Sequence, residues 1–151
     1  MLCRLAIWMM GCLLTGWLLG SMLGCAGSAP YGSFLSGYEA VQAGMAEDAA
    51  GKVRQAFPPE QHTLQMKHPI DDPFGHALVN ELRGAGYSVV ENYEADAGGH
   101  RQVGYVVDQL EGTNMLRVQL LVDARRFSRA YMDNQGSLQP MGAWAVASGA
   151  Q

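Results

Sequence analysis

From Tyr38 to Phe57 apolar residues recur in steps of three and four, at Val41, Met45, Ala49, Val53 and Ala56. That spacing keeps to one face of a helix, with Glu47, Asp48 and Lys52 off the buried stripe. Pro58-Pro59 stops the helix, because proline lacks the N–H that would continue it. Thr63 to Lys67 alternates instead, with Leu64 and Met66 on one side, and predicts a short strand. Asp71-Asp72-Pro73 has the chemistry of a helix start: Asp72 can accept from free backbone N–H groups and Pro73 suits the first helical position. Phe74, Ala77, Leu78 and Leu82 form the next stripe, and Gly84-Ala85-Gly86 ends it. Strands are predicted at Tyr87 to Tyr93 and Gln102 to Gln109, with a loop from Ala95 to His100 between them. Met115 to Val122 follows, with Leu116, Val118, Leu120 and Val122 on one face, then Phe127 to Met132 and Leu138 to Val146. Turn residues fill Glu111 to Asn114, Asp123 to Arg126 and Asp133 to Gly136. Strands joined so closely from Val103 onward predict an antiparallel meander, and one of the last two as its edge. The fold class is α+β: two helices packed on a mainly antiparallel sheet, in one domain over residues 38–151.

The first twenty-five residues differ in kind. Leu5 to Leu23 is an apolar run with one charge before it, Arg4, and a small-residue exit: the design of a secretory signal peptide. The exit, Met22-Leu23-Gly24-Cys25, resembles the lipobox of bacterial lipoprotein signals. There a thiol is acylated at the membrane and the chain is cut before it, so cleavage is expected between Gly24 and Cys25, with lipid on Cys25. Residues 1–24 are then signal peptide and residues 25–37 the lipidated cysteine and a flexible tether, since Ala26 to Ser33 is rich in Gly, Ser and Ala. An uncleaved membrane helix is the main alternative, because the run approaches the roughly 20 apolar residues needed to span a bilayer. Met9-Met10-Gly11-Cys12 is a poorer second lipobox, too close to Arg4. Ala26 in place of Asp favours the outer membrane, with the domain facing the periplasm.

Charge narrows the function. The chain has ten basic and fourteen acidic residues; with Arg4 in the leader, the rest carries nine against fourteen, a net of −5. Direct nucleic-acid binding, which needs a basic face, is not expected. The three cysteines are Cys3, Cys12 and Cys25, so the domain offers neither disulfides nor a cysteine nucleophile. His62, His68, His76 and His100 lack metal-ligand spacing and are read as surface or capping residues. Ser128 and Ser137 lack a nucleophile-elbow context. Asp71-Asp72 reads as a cap, and Gly98-Gly99 as a loop. No catalytic, metal or cofactor-binding residue is assigned. Arg125, Arg126 and Arg129 form a small basic cluster, a solvated hairpin end or a docking spot for an acidic partner. Trp144 is either core or an anchor on an exposed edge.

Several segments together resemble the TrbH family of conjugal-transfer proteins. They are Asp72-Pro73-Phe74-Gly75, Ala77-Leu78, Leu82-Arg83 and Gly86-Tyr87-Ser88-Val89, then Tyr105-Val106-Val107-Asp108, Arg117-Val118-Gln119-Leu120 and Ser128-Arg129-Ala130-Tyr131. Gly136-Ser137-Leu138 and Pro140-Met141-Gly142-Ala143-Trp144 complete the set. The resemblance implies a structural, non-enzymatic lipoprotein of a conjugative type IV secretion apparatus, held to the membrane by its lipid and partnered by other channel subunits. Arg129, Tyr131 and Trp144 are the candidate interaction residues. A cell-envelope hydrolase and a stand-alone lipoprotein that binds a ligand or peptidoglycan are the competing readings.

Overall fold

The computed structural model describes residues 31–91 and 98–149. Its elements are β1 (Gly32–Ser33), α1 (Glu39–Ala56), a 3-10 turn (Pro59–Gln61), β2 (Leu64–Met66), α2 (Pro73–Gly84), β3 (Val89–Val90), β4 (Arg101–Gln109), β5 (Met115–Val122), β6 (Arg125–Asn134) and β7 (Ser137–Ser148). The architecture is α+β, two helices on an open, mostly antiparallel sheet of seven strands. The order is β3-β2-β4-β5-β6-β7, with β1 paired to β4 on the side that β2 also uses. β4 to β7 form the expected antiparallel meander. The short strands β1, β2 and β3 pair in parallel, because α1 and α2 each carry the chain back before the next strand begins.

The helices grow from the expected chemistry. Asp72 Oδ1 accepts from the Gly75 N–H at 2.8 Å, and Pro73 opens α2. Phe74, Leu78 and Leu82 are buried on its inner face. α1 buries a broader arc than the one stripe read from sequence, since Gln42, Ala46 and Ala50 join Val41, Met45, Ala49 and Val53. Its alanines let α2 approach on one side while the sheet takes the other. On β5 burial alternates strictly, with Leu116, Val118, Leu120 and Val122 fully enclosed. Tyr105, Phe127 and Tyr131 fill the space between sheet and helices.

Four expectations need correction. The tether does not extend to residue 37: Gly32 and Ser33 pair with Val106 and Val107 of β4. Among the described residues of the strand read over Tyr87 to Tyr93, only Val89–Val90 pair as strand, while Tyr87 turns inward and its hydroxyl donates to the Phe57 carbonyl. The last turn is tighter than Asp133 to Gly136. Gln135 and Gly136 alone form it, both with positive φ, the two-residue hairpin geometry that suits strand twist. His68 is buried rather than superficial, stacked parallel to Tyr31 at 5.4 Å and edge-on to Tyr105 at 4.5 Å. Gly24, Cys25 and the rest of the leader lie outside the described residues, as do Asn92 and Tyr93.

Candidate functional site

β7 is the free edge of the meander, and the three candidate interaction residues meet beside it. Arg129 and Tyr131 point from β6 toward α1, as Phe127 does. Both reach Asp48 of α1: Arg129 Nη1 donates to its two carboxylate oxygens at 3.0 and 2.8 Å, and the Tyr131 hydroxyl donates at 2.6 Å. Arg129 Nε donates to the Gly142 carbonyl of β7 at 3.0 Å. One guanidinium therefore ties a helix to the edge strand. Its carbon also lies 6.0 Å from the ring centres of Tyr131 and Trp144, close enough for cation–π attraction.

A local irregularity makes this possible. Ser128 pairs with Ala145 and Ala130 with Met141, so Arg129 stands opposite Gly142, Ala143 and Trp144. Such a bulge bends the strand and re-aims its side chains. Gly142 takes φ +74 there, a conformation that glycine adopts without strain. Trp144 lines an open groove together with Gly44, Glu47, Asp48, Gly51 and Lys52 of α1. It is partly buried against the core, so it is neither wholly core nor a free surface residue.

Electrostatics fix the protonation pattern. Tyr131 is fully enclosed; burial, then its bond to Asp48, raises its pKa far above the ordinary tyrosine value. It stays a hydroxyl donor at every physiological pH. Among the described residues no group of three metal-ligating side chains comes together.

A second buried network lies across the sheet. The Tyr105 hydroxyl donates to Asp72 Oδ2 at 2.7 Å, and the Ser33 N–H reaches the same oxygen at 3.2 Å. Gly75 is required there, because a Cβ would overlap the Tyr105 hydroxyl. Burial outweighs the nearby carboxylates and lowers the His68 pKa.

The arginine cluster is divided by the pleat. Arg125 lies over Phe57 and Phe127 on the helix side, whereas Arg126 opens on the other face beside Gln119 and Leu121. Arg129 is held by Asp48. The three guanidinium groups therefore do not share one face. Sequence reading missed Asp48, which it placed off the packed stripe of α1, and Gly142. The one signal for the bulge was a glycine within an otherwise extended run.

The chain is thus a helix-covered open sheet with one polar cluster beside its β7 edge and a second around Asp72. The family model for the conjugal transfer protein TrbH matches residues 28–148, and the chain belongs to that family. No curated protein matched, and no solved structure did. Among the described residues no helix is long and apolar enough to cross a membrane.

Proposed function

We propose that this conjugal transfer protein is a non-catalytic lipoprotein subunit of a conjugative type IV secretion apparatus. It is anchored in the outer membrane through lipid on Cys25 and faces the periplasm. The observation that carries the reading is the family match, which begins at Ser28, three residues beyond the cysteine of a lipobox-like exit. The Asp48-centred cluster supports an assembly role, since its Arg129 lies against a partly buried tryptophan at a sheet edge, and aromatics dominate interface energetics. Channel subunits are the partners, and DNA is not contacted directly.

Two variants test this. Cys25→Ser should leave an unprocessed precursor that takes up no labelled palmitate; continued labelling would remove Cys25 from the account. Trp144→Ala should lower DNA transfer and co-purification with channel subunits. Normal transfer together with normal stability would remove Trp144. An activity lost on replacing a polar residue, with assembly intact, would favour an envelope enzyme instead.

A further inference from the structure

The start of the folded domain is clasped to the sheet. Gly32 and Ser33 pair with Val106 and Val107, and the Phe34 N–H donates to the Val107 carbonyl at 2.8 Å. The Ser33 N–H donates to Asp72 Oδ2 at 3.2 Å, and its hydroxyl to Gln42 Oε1 at 2.8 Å. The Tyr31 ring stacks on His68 and carries the Lys67 ammonium 5.6 Å from its centre. It also lies on Gly104, where a Cβ would come within 2.6 Å of the ring. Four side chains, those of Asp72, Gln42, His68 and Lys67, and two strand pairings converge on Tyr31 to Ser33.

This changes the leash. Only Ala26 to Pro30 separate Cys25 from the first clasped residue. Six Cα steps of about 3.5 Å reach about 21 Å at full stretch. A tether running to Gly37 would have reached about 45 Å. A domain of this size has a radius of gyration of about 13 Å. A leash that short, fixed at one edge of the sheet, restricts tumbling above a membrane. It holds the clasped edge within reach of the headgroups, with β7 three strand spacings of about 4.8 Å further along the sheet.

The clasped side has the composition that such a position needs. Phe34 is 56% exposed, the most exposed large apolar residue of the described chain. Tyr31 is partly exposed, and Lys67 is exposed. Aromatic rings and a lysine suit the boundary between headgroups and acyl chains.

We propose that the β1 clasp seats the domain on the bilayer that holds the Cys25 lipid, with Phe34, Tyr31 and Lys67 against the headgroups and the Trp144 edge facing away. This placement rests on the lipoprotein reading above. The test uses the full lipidated chain in vesicles of phosphatidylethanolamine and phosphatidylglycerol containing a headgroup-level spin-labelled lipid. The domain has no cysteine of its own, so Ser36→Cys and Ser148→Cys each offer a unique site for a fluorophore. The label at position 36 should lose most of its emission to the quencher and the label at 148 little. Inserting about twelve Gly/Ser residues after Pro30 leaves every clasp contact intact. It should weaken quenching at position 36 by up to about fivefold, because local concentration falls as the −3/2 power of tether length. Gly104→Val, which pushes Tyr31 off the sheet, should do the same; if it does not fold, the insertion alone decides. Equal quenching at both sites, or no change on insertion, overturns the placement while palmitate uptake on the same samples leaves the lipoprotein reading standing. Absence of palmitate overturns both.

Discussion

Replacing Asp48 by Ala should destabilise the domain by about 3 kcal/mol, and the size follows from what the carboxylate holds. It accepts the Tyr131 hydroxyl at 2.6 Å and Arg129 Nη1 at 3.0 and 2.8 Å. Tyr131 has no solvent exposure, so its hydroxyl would be stranded, a cost of about 1–3 kcal/mol. The ion pair adds less. The Asp48 side chain is 31% exposed and that of Arg129 19%, and partial hydration holds such a pair near 1 kcal/mol. The assay is thermal unfolding of residues 26–151 followed by circular dichroism, where a loss of 3 kcal/mol should appear as a fall in Tm of roughly 10 °C. Tyr131→Phe alone should cost about 1–2 kcal/mol. In the Asp48→Ala background the same change should cost almost nothing, because the hydroxyl has already lost its acceptor, so the double-mutant cycle should show a coupling above about 1 kcal/mol. A loss below about 1 kcal/mol for Asp48→Ala, or additive single effects, would refute the cluster as the link between α1 and the edge strand.

Three further outcomes are expected. His68 is held neutral by burial, its folded pKa below 6.5; the unfolded chain therefore takes the proton first, and stability should fall as pH drops from 6.5 toward the folded value. His68→Phe should flatten that part of the denaturation profile. Tyr105 and Tyr131 have raised pKa values, so stability should fall as pH rises above 10, and ultraviolet titration should find these two rings un-ionised until the domain unfolds. Gly75→Ala should cost about 1–3 kcal/mol, because its methyl group would displace the Tyr105 hydroxyl from Asp72; Tyr105→Phe should relieve part of that cost.

Regular, half-buried elements were legible because burial imposes a period. On β5 every second residue is enclosed, and the sequence alternates to match. The start of α2 was legible from capping chemistry alone, since Asp72 and Pro73 act within a few residues of chain. β1 was not legible, because two residues have no period and Ser33 is fixed by Asp72 and Gln42, 39 and 9 residues away. Asp48 was missed for a related reason. A helix rich in Ala and Gly packs on two sides, so a carboxylate beside the apolar stripe can still face another element. Arg129, Tyr131 and Trp144 were named from separate segments, but their convergence depends on a bulge whose register exists only in the pairing of β6 with β7.

That bulge also decides how the edge can be used. β7 is a twelve-residue edge strand without a charged side chain, a surface that would ordinarily invite another strand. Two features limit strand addition. Pro140 has no N–H to offer, and the register breaks at Gly142, Ala143 and Trp144. Only the short runs on either side keep regular pairing, and Arg129 already occupies the Gly142 carbonyl. A partner strand cannot run the length of β7. Beside the break, Trp144 lines an open groove together with Gly44, Glu47, Gly51 and Lys52 of α1. Backbone pairing would give affinity with little discrimination, whereas an aromatic set in a fixed polar frame distinguishes partners. The break in β7 therefore limits strand addition along the edge and sets where Trp144 stands beside Arg129.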